Sequence, residues 1–178
     1  MTQAILQAQR THLAQLLDAI QRSTYYLHAT EQRLPWPLTA PLLEAQKKNA
    51  EWFETLAAMN ERFAKLQDIL ASSMRHTALL MGEPTDTFLQ VLAWFEKQRV
   101  IDSIEQWQLL RTARNLAAHD YETDYEQIAE HFNTLHALSP VLYSTAGRLV
   151  RLCQQHLHLT PARGDFASEF NTIALSNT

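Results

Sequence analysis

The residues best suited to chemistry lie together in segment 114–121, which reads Arg-Asn-Leu-Ala-Ala-His-Asp-Tyr. Arg114 carries a guanidinium group that holds phosphate oxygens through forked hydrogen bonds. His119 can gain and lose a proton near neutral pH. Cleavage of a phosphodiester needs both abilities, because a proton moves while negative charge builds on the phosphate. The segment therefore predicts phosphodiester chemistry.

Helix geometry limits how these side chains can cooperate. A helix turns about 100° per residue, so Arg114 and Tyr121 share nearly one face if the helix persists that far. Arg111, Asn115 and His119 form a second row, because each lies four residues from the next. Arg114 and His119 stand roughly 140° apart around a regular helix. They converge if the helix ends near His119, if they face a shared cleft from different sides, or if a two-fold dimer brings two copies around one groove.

The segment resembles the Arg-x4-His-x-Tyr motif of HEPN proteins, with Asn115 directly after the arginine. It looks most like the HepT-type toxins that are encoded beside a minimal nucleotidyltransferase (MNT) antitoxin. The upstream chain is also similar to that group, in segments 62–68, 82–84, 88–100 and 107–115. The resemblance runs from about Arg62 to Leu138.

The resemblance implies a metal-independent endoribonuclease whose cleft forms at a homodimer interface. His119 would act as base on the ribose 2′-hydroxyl or as acid on the leaving oxygen, and Arg114 would stabilise charge on the phosphate. Asn115 and Arg111 would support these two residues. Tyr121 would be adenylylated by the MNT partner, which silences the toxin. The expected partners are RNA, the MNT antitoxin and a second copy of the chain, and no cofactor or metal ion is expected.

Two other interpretations of the same residues stay open. Arg114 could pair with Asp120 or Glu122 at a helix terminus, where His119 would interact with the helix dipole. A HEPN fold can also lack cleavage and serve as the nucleotide-binding or docking partner of a nucleotidyltransferase. The net charge of −4 favours that second interpretation.

Composition narrows the class of protein. The chain has 178 residues, which suits one domain with a sizeable core. No apolar run is long enough to span a bilayer, and no signal peptide is visible at the start. The single Cys153 excludes an internal disulfide and predicts a reducing, cytoplasmic location. The acidic net charge argues against a broad nucleic-acid surface but leaves room for a small basic cleft.

One further group has spacing that could touch a metal ion. Cys153, His156 and His158 lie within six residues of one another near the end of a predicted helix. Three ligands on one helical segment, with no obvious fourth, argue against a zinc site.

The elements that position segment 114–121 are predicted to be helices. Apolar residues recur at helical spacing along most of the chain, and no strand pattern or internal repeat is visible. The predicted fold class is an all-α, up-and-down helical bundle. Residues 1–158 are expected to form a single HEPN-like domain with an extended N-terminal helix. Residues 159–178 are expected to form a loose C-terminal tail.

Several helix boundaries follow from proline, glycine and capping residues. A second helix is expected to run from Pro41 to Gly82, about 60 Å at ~1.5 Å per residue if unbroken. A third is expected to start at a cap on Thr85. The later starts and breaks are predicted at a Ser103 capping box, at Asp124, and at Pro140, which should kink or restart the last helix.

Overall fold

The computed structural model describes residues 2–116 and 124–176, apart from the side chain of Leu116. Within these ranges the chain forms seven α-helices and no strand, which confirms the predicted all-α helical bundle. The helices are α1 Gln3–Glu31, α2 Ala40–Ala45, α3 Ala50–Met81, α4 Phe88–Lys97, α5 Ile104–Leu116, α6 Tyr125–Leu157 and α7 Ala167–Leu175. None of the helices described is both long and apolar enough to cross a bilayer.

Three long helices supply most of the core. The contact between α1 and α3 is the most extensive, and α6 packs against both of them. The apolar stripe predicted on α1 is largely buried: Leu13, Leu17, Ile20 and Leu27 are fully inaccessible to solvent. Burying one such side chain contributes about 1.5–3 kcal/mol. Helix α4 packs against α3 and α5, and helix α5 packs against α3 and α6.

The expected single helix from Pro41 to Gly82 is two helices. The first ends at Ala45, and α3 begins at Ala50 after Asn49, whose side chain accepts a hydrogen bond from the backbone N–H of Trp52 at 3.4 Å. The prediction of one unbroken helix was wrong because asparagine is a strong N-cap residue that competes with helix continuation. The predicted stop at Gly82 is confirmed, since Gly82 takes a left-handed conformation with φ of 76°.

The later boundaries are mostly confirmed. The Ser103 and Asp124 side chains each accept hydrogen bonds from backbone N–H groups two or three residues further on. The cap predicted at Thr85 lies instead at Thr87, which forms a reciprocal capping box with Gln90. Only Thr87 has a glutamine three residues on to complete that box.

The last long helix does not restart at Pro140. Helix α6 is continuous from Tyr125 to Leu157, with Pro140 inside it. Leu135 and Leu142, on either side of the proline, are both fully buried in the core. Packing of both halves into the core offsets the hydrogen bond that proline cannot donate.

The expected loose tail over residues 159–178 also needs correction. Residues 167–175 form α7, which packs against α1 and α6 and buries Phe170, Ile173 and Ala174. The packing is close, because a Cβ atom added to Gly147 of α6 would lie 3.0 Å from the Cβ of Ala174. This helix was not predicted because the composition after Thr160 is mostly polar. Its apolar face is short and spans little more than two helical turns.

A buried polar cluster joins the end of α1 to α6. Glu31 is only 3% exposed, accepts a hydrogen bond from the hydroxyl of Tyr143, and lies 2.8 Å from the Nδ1 atom of His136. Trp36 stacks on the His136 ring, with centroids 4.1 Å apart, and donates its indole N–H to the Glu31 backbone carbonyl. Burial, together with the charge of Glu31, raises the pKa of Tyr143 and keeps its hydroxyl protonated.

Candidate functional site

The predicted site residues divide between described and undescribed parts of the chain. Arg111, Arg114 and Asn115 lie in the last turns of α5. Arg111 and Asn115 are exposed, whereas the side chain of Arg114 is 30% exposed. His119 and Tyr121 lie outside the described residues, so the convergence of His119 with Arg114 stays a prediction.

The sequence of α5 explains where the arginines point. Trp107, Leu110 and Ala113 are buried at three-residue intervals and fix the helix against the core. Arg114 follows Trp107 by seven residues and therefore lies on nearly the same face of α5, about two helical turns further on. It emerges at the edge of the core, with Arg111 beside it one turn earlier.

An ion pair crosses from α5 to α3. The Nη1 atom of Arg114 donates a hydrogen bond to the Oδ1 atom of Asp68. Asp68 is largely exposed, so solvent screens the pair and its contribution to stability is at most about 1 kcal/mol. Its main effect is to hold the guanidinium between the two helices. Asp120 and Glu122, the partners considered from the sequence, lie outside the described residues.

A groove of about 260 Å³ opens beside this pair, between α3, α4 and α5. Three arginines line it: Arg75 from α3, and Arg111 and Arg114 from α5. Phe88 from α4 also lines the groove, and the Cζ atom of Arg75 lies 5.8 Å from the centre of its ring. Arginine is the side chain best suited to bind phosphate, so three arginines give this groove the composition of an anion site.

The same groove contains buried polar atoms that have no hydrogen-bond partner. Gln67 is 1% exposed, and neither its amide nitrogen nor its amide oxygen is bonded. The indole N–H of Trp107, which is 2% exposed, is also unpaired. Such atoms cost about 1–3 kcal/mol each and are rare in folded proteins, so they call for an explanation.

A second basic groove, of about 280 Å³, lies between α1 and α3. Arg22, Tyr26, Arg62 and Lys65 line it, and the Cζ atom of Arg62 lies 5.6 Å from the centre of the Tyr26 ring. Glu61 also lines it and reduces its positive charge. This groove could not be predicted from the sequence, because its residues come from two helices about 40 residues apart and share no motif.

The residues considered for zinc differ in their surroundings. Cys153 is fully buried with its Sγ atom 3.3 Å from the hydroxyl of Thr77, while His156 and His158 are exposed. Burial raises the pKa of the Cys153 thiol to about 11. Over residues 2–116 and 124–176, no group of three His, Cys, Asp or Glu side chains is arranged to hold a metal ion.

Asp68, Arg75 and Gln67 were not predicted as site residues. They lie on α3, about 40 residues before the motif. Only the packing of α5 on α3 brings Gln67 and Arg75 to the groove and Asp68 to Arg114. No protein-family model, curated protein or solved structure matches the chain. What the groove can do therefore follows from its own side chains.

Proposed function

We propose that the chain is a HEPN-type, HepT-like toxin that cleaves RNA without a metal ion. The observation that supports this most is the groove lined by Arg75, Arg111 and Arg114. It lies at the C-terminal end of α5, directly before the segment that contains His119. A phosphate-binding groove next to a histidine has the two abilities that phosphodiester cleavage needs.

The proposed reaction is an attack within the RNA strand. His119 removes the proton of a ribose 2′-hydroxyl, and the 2′-oxygen forms a bond to phosphorus. Arg114 stabilises the negative charge of the pentacoordinate phosphate, and Arg111 supports it. The bond from phosphorus to the 5′-oxygen then breaks, and this oxygen takes up a proton. The products are a 2′,3′-cyclic phosphate and a 5′-hydroxyl.

The second proton transfer is the reason to propose a homodimer. In an in-line displacement the attacking 2′-oxygen and the leaving 5′-oxygen lie on opposite sides of phosphorus, so one imidazole cannot act as base on the first and as acid on the second at once. The His119 of a second copy supplies the other group if a two-fold axis passes close to the groove. Asn115 orients the imidazole or the phosphate, and Asp68 positions Arg114 through their ion pair.

The RNA strand is proposed to continue from the first groove into the second basic groove. Lys65 lines that groove and Ser72 lines the first one, and the two residues lie seven positions apart on one face of α3. The separation along the helix is about 10 Å, at ~1.5 Å per residue. A strand leaving the first groove can therefore place a further phosphate near Lys65 and a base on the exposed ring of Tyr26.

Control of the toxin is proposed to act through Tyr121. An MNT-type nucleotidyltransferase transfers an adenylyl group from ATP to the Tyr121 hydroxyl and releases pyrophosphate. The added phosphate lies beside Arg114 and blocks the groove to RNA. A Tyr121→Phe variant should cleave RNA as the wild type does and should resist silencing by the partner. Silencing of Tyr121→Phe in the presence of ATP would show instead that another hydroxyl or simple occlusion is responsible.

Cleavage of single-stranded RNA in the presence of a chelator tests the proposal. Arg114→Ala and His119→Ala should each lose about 10²-fold or more of the rate, through loss of charge stabilisation and of proton transfer. Arg151→Ala, at an exposed arginine of α6, is the matched control and should keep full activity. If wild type and His119→Ala show the same trace activity, the cleavage comes from a contaminating nuclease. The chain is then better described as a non-catalytic partner subunit of a nucleotidyltransferase, which its net charge of −4 favours.

A further inference from the structure

Gln67 differs from the other buried polar side chains of the bundle. Ser73 and Thr55, for example, donate their hydroxyls to backbone carbonyls of their own helix. Among the residues that the structure describes, Gln67 alone is buried with both of its polar side-chain atoms unpaired. A leucine of similar size would fill the same space without leaving any polar atom unpaired.

Gln67, which carries these unpaired atoms, lines the groove between α3, α4 and α5. Gln67 and Trp107 both line it, together with the three arginines. The two side chains contribute an amide donor, an amide acceptor and an indole donor, and none of these has a partner in the protein. A polar group kept in a core position at a cost to stability is typical of a functional site.

We infer that Gln67 reads the edge of a nucleobase whose phosphate is held by Arg75, Arg111 and Arg114. An amide offers an adjacent donor and acceptor, and the Watson–Crick edge of every nucleobase presents a complementary pair. Glutamine to adenine is the familiar case in DNA recognition. A phosphate ion alone would use the arginines but would leave the Gln67 oxygen without a donor. The inference rests on the proposed function. Base reading by Gln67 makes the nuclease selective for the base next to the bound phosphate.

Binding of single nucleotides tests this without requiring cleavage. Each of the four nucleoside 3′-monophosphates, and inorganic phosphate, is titrated into wild type and Gln67→Leu by calorimetry. Wild type should bind one nucleotide at least tenfold more tightly than inorganic phosphate. Gln67→Leu should lose that preference while unfolding at the same or a higher urea concentration. The indole N–H resonance of Trp107, assigned with Trp107→Phe, should shift on binding in wild type.

Gln21→Leu is the matched control. Gln21 is also buried, its amide oxygen is also unpaired, and it lies on α1 outside the groove. Its replacement should leave the nucleotide preference unchanged. If Gln67→Leu fails to fold, Gln67→Met carries the same test with a more flexible side chain.

Three results would overturn the inference. They are equal binding of nucleotides and inorganic phosphate by wild type, an unchanged preference in the Gln67 variants, and a preference that Gln21→Leu also removes. Absence of RNA cleavage with intact, Gln67-dependent nucleotide binding would contradict the nuclease proposal but not the base-reading role. Cleavage of RNA with no base preference would contradict the base-reading role but not the nuclease proposal.

Discussion

At the scale of single residues, the arginines of the groove differ in how firmly they are held. Arg114 is partly buried and paired with Asp68, whereas Arg111 is exposed. An arginine that is already ordered loses less side-chain freedom when it binds a phosphate. Arg114 is therefore better prepared than Arg111 to stabilise a transition state, which agrees with the roles proposed for the two residues.

A second residue-scale feature, the buried Glu31, governs stability rather than chemistry. Tyr143→Phe removes the hydroxyl that donates to the Glu31 carboxylate. Since hydrogen bonds to charged groups contribute about 1.5–3 kcal/mol, we expect a loss of that size in the free energy of unfolding. Urea titration measures it, with Tyr26→Phe at an exposed ring as a control that should change stability by less than about 0.5 kcal/mol. If Tyr143→Phe lowers the free energy of unfolding by less than this control limit, the buried cluster contributes nothing to stability.

At the scale of elements, most helices could be predicted from sequence because their signals are local. The stripe on α1, the Ser103 and Asp124 caps and the Gly82 stop all lie within a few residues of the boundary that they set. The break at Asn49 also has a local signal, but the apolar residues continue at helical spacing beyond it and predict one longer helix. The persistence of α6 through Pro140 had no local signal, because it depends on packing against other helices.

The site could be predicted only in part, for the same reason. Arg111, Arg114 and Asn115 belong to one motif on one helix, and sequence spacing identifies them. Gln67 lines the groove from α3 and Asp68 reaches Arg114 from the same helix, and nothing in their own neighbourhood marks them as functional. An unpaired buried amide can be recognised only after its surroundings are known.

The short helix α7 gives the clearest stability prediction at this scale. Phe170 is almost fully buried where α7 meets the bundle, so Phe170→Ala should cost about 3–5 kcal/mol of unfolding free energy. Asn171→Ala, at the neighbouring exposed position, should cost less than about 0.5 kcal/mol. Thermal and urea unfolding compare the two variants. Equal stability would mean that the C-terminal segment behaves as the loose tail first expected from its composition.

At the scale of the whole molecule, stability should depend on pH through two histidines. Burial lowers the pKa of His131, and burial, with the nearby His12 and Arg75, lowers that of His76. The unfolded chain, with a histidine pKa of about 6.5, then binds more protons than the folded chain at acidic pH. Stability should be full above about pH 6.5 and should decrease as the pH falls below it.

Urea titrations between pH 5 and pH 7.5 measure this dependence. His131→Gln should flatten the curve, because it removes one group that the folded state keeps neutral. His158→Gln, at an exposed position, should leave the curve unchanged. A His131→Gln curve as steep as that of wild type would contradict the assignment.

Assembly is the second prediction for the whole molecule. The proposed reaction needs two imidazoles at one phosphate, so the chain should form a two-fold dimer with Arg114 near its axis. Sedimentation velocity at micromolar concentration should give twice the mass of 20.5 kDa. A disulfide formed between two copies of an Asn115→Cys variant would place the end of α5 at the interface. A strict monomer that still cleaves RNA would contradict the shared-groove mechanism.

The most direct test of the central claim is the chemistry of the cut itself. One RNA oligonucleotide is incubated with wild type in the presence of EDTA, beside a copy that carries a 2′-O-methyl group at the cut site. We expect cleavage of the first only, with products that end in a 2′,3′-cyclic phosphate and a 5′-hydroxyl, because the 2′-oxygen is the proposed nucleophile. Cleavage of the methylated copy, or products with a 5′-phosphate, would contradict the mechanism, and the absence of any cleavage would contradict the proposed function.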